Sequence, residues 1–155
     1  VGYGSSNDAF DMISLHETGR GLKRAVKAAV RKAGIDPAEL NYINPHGSAT
    51  PSNDKVETMV IKEVMGEAAY KVAVSSVKPI TGHCMGASGS VEALACVMAI
   101  RDQKVAPTIN YTTPDPECDL DYVPNVARSM PVNYAMSTSV GLGGHNSAVI
   151  FKKAN

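Results

Sequence analysis

The stretch SGSVEALACVMAIRDQ, residues 88–103, sets the tightest limit on what this chain can fold into. Val91, Leu94, Ala95, Met98 and Ala99 recur at helical spacing on one face, and Cys96, Val97 and Ile100 make the other side apolar too. The pattern predicts a helix from about Ser88 to Gln103 that is buried nearly all round. A helix of that kind belongs in the middle of a layered fold. Its richest part, VEALACVMAI, is about half the length a membrane span needs and contains Glu92.

Two more helices are predicted upstream. Leu22, Ala25, Val26, Ala29 and Val30 fall on one stripe, with Lys23, Arg24, Lys27 and Arg31 between them, and AGIDP stops that helix. The next is expected from about Pro51 to Met65, with Val56, Met59, Val60 and Val64 on one stripe. Thr50 is its expected N-cap, Pro51 suits its first turn, and Asp54 and Glu57 lie toward the positive end of the dipole. Strand candidates are NYIN (41–44), KVAVSS (71–76), YAMSTSV (134–140) and SAVIFK (147–152). Alternating helices and strands imply parallel pairing through helical crossovers, whereas the tight GLGGHN between the last two strands implies a hairpin. The Pro-rich connection VAPTINYTTPDPECDLDYVP is expected to be ordered on the surface.

Composition narrows the class. At 155 residues the chain suits one domain with a proper core. Fifteen basic and fifteen acidic residues cancel, which sets aside nucleic acid and anionic membranes as partners at this level. Three widely spaced cysteines, Cys84, Cys96 and Cys118, form no secreted disulfide framework and point to a reducing compartment. The N-terminus, VGYGSSNDAF, has no initiator Met and no leader pattern, and reads like the end of a strand from something longer.

Sites in open α/β sheets form where strands end and loops begin. Three glycine-rich loops meet that condition: NPHGSATPSND, VKPITGHCMGASGS and SVGLGGHNS. His46 and His83 occupy equivalent places in the first two, and His145 is in the third. Backbone N–H groups in such loops can stabilise an oxyanion. Several chemistries stay open on these residues alone. A Cys84–His nucleophile pair is weakened because adjacent residues rarely point at each other. A metal corner lacks C-x-x-C or H-x-x-x-H spacing. GLGG is a weak phosphate-loop signal, because a hairpin follows it.

Taken together, the loops resemble the β-ketoacyl-[acyl-carrier-protein] synthases, condensing enzymes of the thiolase-like superfamily. YINPHGSATPSND is similar to that family's N-x-H-G-T-x-T-P-x-x-D loop, and SSVKPITGHCMGASGSVEAL to its S-x-K-x-x-x-G-H-x-x-G-A-x-G-x-x-E segment. STSVGLGGHNSAVIF is similar to its closing N-S-F-G-F-G-G-x-N motif. The resemblance runs along essentially the whole chain, residues 1–155, and is to the C-terminal of two similar halves. It implies an α/β, layered α-β-α half with a mixed five-stranded sheet ending in an antiparallel hairpin. It also implies that the nucleophilic cysteine lies in the other half, at the head of a buried helix, since none of Cys84, Cys96 or Cys118 falls where it would be.

The resemblance carries roles as well. It implies an acyltransferase performing decarboxylative Claisen condensation of malonyl carrier protein with an acyl thioester in fatty acid biosynthesis, the fragment being inactive alone. His46 and His83 would donate hydrogen bonds to the thioester carbonyl in a dry pocket, with Lys78 and Glu92 as the buried ion pair that orients them. The backbone N–H of Leu142 would supply half of a second oxyanion hole, and Ser48 and Thr50 would contact the phosphopantetheine arm. Asn44, Glu92 and Ser137 match positions that hold a structural monovalent cation in some members. No other cofactor is implied, because phosphopantetheine arrives on the acyl carrier protein. The implied partners are that carrier, the chain's own N-terminal half and a second copy in a homodimer. The implied location is the cytoplasm, or a plastid or mitochondrion in a eukaryote.

Departures mark a divergent member. Val140 and Leu142 replace two usual phenylalanines, one of which gates the acyl pocket. Ile13 and Ala49 replace a common threonine and serine, and Pro45 precedes His46 where a small residue is usual. They leave an alternative: a ketosynthase, or a non-catalytic chain-length-type partner subunit, of a type II polyketide synthase. A thiolase acting on coenzyme A thioesters ranks last, because no C-x-G stands at the hairpin.

Overall fold

The computed structural model describes residues 1–154. In chain order the elements are β1 (Gly2–Asn7), α1 (Arg20–Ala33), β2 (Tyr42–Asn44), α2 (Asn53–Met65), β3 (Ala73–Val74), the one-turn α3 (Lys78–Thr81) and α4 (Ser88–Asp102). They continue with β4 (Lys104–Val105), β5 (Arg128–Ser129), β6 (Tyr134–Gly141) and β7 (His145–Lys152). Five strands form one mixed sheet in the order β1-β7-β6-β2-β3, while β4 and β5 pair in a small ribbon of their own. The β6–β2 and β2–β3 pairs are parallel and the β1–β7 and β7–β6 pairs antiparallel, as helical crossovers and a terminal hairpin require.

Side chains alternate across the sheet and feed two cores. Ile43, Val74 and Met136 point to the cluster under α1 and α2. Their neighbours Tyr42, Ala73 and Ala135 join Cys96, Ala99 and Ile100 of α4 on the other face. On α1 the predicted stripe of Leu22, Ala25, Val26, Ala29 and Val30 is buried throughout. It lies so close to β1 that a Cβ on Gly4 would collide with the Ala25 carbonyl oxygen, which is why that edge strand carries glycine.

The N-terminal segment forms the edge strand β1, in register with β7 from Gly2↔Ile150 to Asn7↔His145. Three expectations need correction. Thr50 does not cap α2, which begins at Asn53; its hydroxyl lies 3.2 Å from that of Ser48 in the preceding loop. Pro51 fixes its own φ but leaves the chain free to turn once more before the helix hydrogen bonds start. The Pro-rich connection is not confined to the surface. Leu120 and Val123 are buried, and the Asp121 carbonyl accepts from Val74 N–H at 2.8 Å, so the segment covers the outer edge of β3. Finally, α4 is not buried all round. It packs on the sheet through Glu92, Cys96, Ala99 and Ile100, whereas Leu94 is 58% exposed, Val97 45% and Met98 42%. Among the described residues no layer covers that outward face.

Candidate active site

The three loops converge at the C-terminal ends of the parallel strands. Immediately after β2, Pro45 and His46 are buried, and the backbone is fixed by a carboxylate reaching back from the first turns of α2. Glu57 Oε1 accepts from His46 N–H at 2.8 Å and from Thr138 Oγ1 at 3.1 Å. Its Oε2 accepts from Gly47 N–H at 2.7 Å and from Asn53 Nδ2 at 2.8 Å. Four donors satisfy one buried carboxylate, as burial of a charge demands. Burial nonetheless holds the Glu57 carboxyl above its usual range, opposed by the Gly47, Asn53 and His46 donors. Gly47 turns with φ 47°, and a Cβ there would meet the Ser76 side chain at 2.6 Å, so only glycine lets the loop close against β3.

The second histidine is held differently. His83 follows α3 in a run, 79–87, that is exposed at every position. Its Nδ1 accepts from Met85 N–H at 3.1 Å and lies 2.9 Å from Ser88 Oγ. A backbone N–H can only donate, so His83 Nδ1 is unprotonated and the ring's proton sits on Nε2. The two imidazoles meet edge to face with centroids 5.4 Å apart. Within this chain His46 is buried and His83 is open to solvent.

Lys78 joins the two loops from beneath. Its ammonium, itself buried, donates to Glu92 Oε1 and to the His46 carbonyl, and lies 3.5 Å from His46 Nδ1. The cation beside Nδ1 leaves the His46 proton on Nε2, the same tautomer as in His83. Burial, then the charges of Lys78 and His83, push His46 down to about 4, so it is neutral throughout the physiological range. Burial raises Glu92, and the Lys78 partner opposes that shift; its second oxygen receives Ser139 Oγ at 3.4 Å. The two neighbouring imidazoles are therefore both neutral, with a buried ion pair at the first of them.

The remaining candidates sort by location. Leu142 tops the β6–β7 hairpin in a short 3-10 turn, its side chain 68% exposed; the next N–H, that of Gly143, donates to Met12 carbonyl at 2.8 Å. Ser48 and Thr50 lie together on the His46 loop, and Thr50 also lines a cavity of about 490 Å³ behind it. Asn44 faces Ser137 across the β2–β6 pairing, fully buried, with neither amide atom hydrogen-bonded among the described residues. No group of three His, Cys, Asp or Glu is arranged for metal binding among the described residues.

The cysteines stand apart from this chemistry. Cys84 Sγ is directed at the Thr81 carbonyl oxygen, 3.6 Å away, rather than at a histidine. Cys96 is buried on α4, its thiol pushed up to about 12. Cys118 lines the cavity behind the His46 loop. His145 is exposed at the start of β7. Two positioning residues were not read as part of the site: Glu57 was read only as a charge near a helix N-terminus, and Ser88 only as a helix start. Glu57 had a visible signal: it falls within the buried stripe of α2, between Val56 and Val60, where a charged side chain needs buried partners.

Comparison with known proteins agrees with this arrangement. The sequence profile of the family described as β-ketoacyl synthase, C-terminal domain, matches residues 1–112. The chain is 50% identical over 153 residues to 3-oxoacyl-[acyl-carrier-protein] synthase 2 of Staphylococcus aureus strain COL, covering 99% of this chain and 37% of that protein. It is equally 50% identical to the synthase of the same name from Synechocystis. The chain thus spans little more than a third of these relatives' length. Among solved structures, a type II polyketide synthase acyl-carrier protein in complex with its ketosynthase superposes with TM-score 0.96 at 41% identity, over 99% of this chain and 38% of that one. A β-ketoacyl synthase from Burkholderia phymatum gives 0.91 at 31% identity, over 100% and 37%. Histidine loops, sheet order and whole-chain identity lead to one conclusion: this chain belongs to the β-ketoacyl synthase family, as its C-terminal domain.

Proposed function

We propose that residues 1–155 form the C-terminal half of a 3-oxoacyl-[acyl-carrier-protein] synthase acting in fatty acid synthesis. The observation that carries this reading is the pair of neutral imidazoles, with ring centroids 5.4 Å apart and each with its proton on Nε2. A malonyl thioester delivered on phosphopantetheine by an acyl carrier protein places its carbonyl oxygen between the two N–H groups. The bond between the malonyl α-carbon and its carboxylate breaks, carbon dioxide leaves, and the electron pair moves into an enolate whose oxygen takes both hydrogen bonds. The α-carbon then attacks an acyl thioester carbonyl, and the thiolate of the cysteine that carried the acyl group departs. Donors aimed at charge that appears only during reaction lower the barrier, because they bind the transition state better than the substrate. Leu142 N–H serves the second oxyanion, Ser48 and Thr50 contact the pantetheine arm, and Asn44, Ser137 and Glu92 would hold a monovalent cation that steadies the strand ends.

An N-terminal half carrying that cysteine is the expected cover for exposed His83 and for Leu94, Val97 and Met98 on the outward face of α4. Burying that face would be favourable at ~25 cal/mol per Å². Dimerisation of the complete enzyme and a location in the cytoplasm belong to the same reading; no helix among the described residues is long and apolar enough to cross a membrane. A ketosynthase or chain-length partner of polyketide synthesis is the second reading, favoured by the 0.96 superposition on such a ketosynthase. The higher identity to synthase 2 places it second. Coexpression with a matched N-terminal half and assay with acyl and malonyl carrier proteins tests both. His46→Ala and His83→Ala should each lower condensation by at least about a hundredfold, the usual loss of an oxyanion donor. An active complex indifferent to both substitutions removes the assignment, and a stable inactive complex supports the partner-subunit reading.

A further inference from the structure

All four polar backbone groups of His46 and Gly47 have partners, and the partners come from different elements. Both N–H groups donate to Glu57 of α2. The two carbonyls are held from the other arm of the site: Lys78 Nζ donates to the His46 carbonyl, and Ser76 Oγ donates to the Gly47 carbonyl at 3.1 Å. Ser76 is buried between β3 and α3, and its own N–H donates to Thr108 Oγ1 at 3.2 Å.

The Ser76 hydroxyl works in two directions. Lys78 N–H donates to the same Oγ at 3.3 Å, a local bond that serine side chains readily make to the backbone two residues on. A backbone N–H can only donate, so the hydroxyl proton is left for the Gly47 carbonyl. From Lys78 the connection continues to the second histidine through one helical turn. Gly82 N–H donates to the Lys78 carbonyl at 2.8 Å, which closes α3 immediately before His83.

Sheet pairing cannot supply this link. The β2–β3 register runs to Ile43↔Val74, and the last bond between the strands is Ser75 N–H to the Ile43 carbonyl at 3.0 Å. Beyond it, no backbone–backbone hydrogen bond joins the two histidine loops among the described residues. Lys78 bridges the same segments, but on a flexible four-carbon stem shared with Glu92. Ser76 reaches across with a single side-chain torsion, against a glycine that has no room for a Cβ.

We propose that Ser76 is a positioning residue for the reaction, its hydroxyl setting the spacing of the two imidazoles by tying the Gly47 carbonyl to the first N–H of α3. It touches neither substrate nor reacting atoms and acts through His46 and His83. Such a role rests on the reading of the histidine pair as the donors that receive the enolate oxygen.

The test uses the complex with a matched N-terminal half and follows two partial reactions. Loading of the acyl group onto the cysteine places no oxygen between the imidazoles, whereas loss of carbon dioxide from malonyl carrier protein does. Ser76→Ala keeps the Cβ beside Gly47 and removes only the hydroxyl. Its kcat for carbon dioxide release should fall at least about tenfold, with KM and the loading rate within about twofold of the parent. Ser76→Cys keeps the shape with a weaker donor and should fall between. Equal losses in loading and in carbon dioxide release would make Ser76 a residue of the fold alone and overturn the role. So would an unchanged kcat in Ser76→Ala beside a clear loss in His46→Ala. If His46→Ala also leaves carbon dioxide release unchanged, the reading of the histidine pair fails first and takes the role of Ser76 with it.

Discussion

His46 and His83 stand with ring centroids 5.4 Å apart, yet they are held by unlike means. His46 follows a buried strand, hangs from a buried carboxylate through its own N–H, and carries a buried ammonium against its carbonyl. His83 sits in an exposed run, and its ring is fixed by one backbone N–H and one hydroxyl. The first arm is preorganised by this chain. The second has its tautomer set here and its surroundings left open, which fits a site closed by another part of the protein. Substitutions should therefore cost stability on the His46 side and leave it nearly unchanged on the His83 side.

The largest effect is expected at the ion pair beneath the first arm. Lys78→Ala leaves Glu92, only 1% exposed, without its cation, and breaking a buried pair from one side costs about 3–5 kcal/mol. Urea unfolding at pH 7 measures it. Because burial already raises the Glu92 carboxyl, its protonation favours the folded state of the variant, so part of the loss should return as pH falls. Adding Glu92→Gln should restore stability at pH 7 as well. A loss below about 1 kcal/mol would mean that the pair is solvated, and the contrast between the arms would disappear.

Acid should expose the same contrast through His46 itself. Its folded pKa of about 4 lies below the ordinary 6.5, so the unfolded chain binds a proton that the folded chain refuses between those values. The His46 contribution is complete above pH 6.5 and is lost as pH falls toward 4, by up to roughly 3 kcal/mol at 1.36 kcal/mol per pKa unit. Glu57 and Glu92, both raised, act in the opposite direction. The clean measurement is therefore the difference between the parent chain and His46→Gln, followed by unfolding from pH 7 to 4. The parent should lose ground to the variant over that interval; a constant difference would show His46 to be solvated.

Much of this was legible in the sequence, and the failures have physical causes. The three helices, the two parallel strands and the hairpin followed from period and turn residues, and the histidine loops from their place at strand ends. Glu57 was read as a charge near a helix N-terminus, because periodicity says which face a residue is on and not which backbone it can reach. The outward face of α4 was predicted buried because Leu94, Val97 and Met98 are apolar, and a hydrophobic pattern does not say whether its cover lies within the same chain.

Glu57→Gln tests the reading that was missed. The amide keeps one oxygen for the loop but turns an NH₂ toward donors that need an acceptor, leaving at least one buried N–H unsatisfied at about 1–3 kcal/mol. The loss should be accompanied by faster amide exchange at His46 and Gly47, which hydrogen–deuterium exchange resolves. Exchange there unchanged from the parent would show that Pro45 and the Lys78 contact hold the loop without Glu57.

The smallest effect is expected on the second arm. Ser88→Ala removes the hydroxyl 2.9 Å from His83 Nδ1, but that nitrogen keeps Met85 N–H as its donor, so the stability change should stay below about 1 kcal/mol. The tautomer should survive, because Met85 N–H still occupies Nδ1 at 3.1 Å and can only donate. Nitrogen chemical shifts of His83 should then show an unprotonated Nδ1 and a protonated Nε2 in both chains. A shift to the Nδ1–H form in the variant would make Ser88 the residue that sets the donor. A comparable shift in the parent would remove His83 as a donor altogether and leave His46 as the one prearranged group in this half of the site.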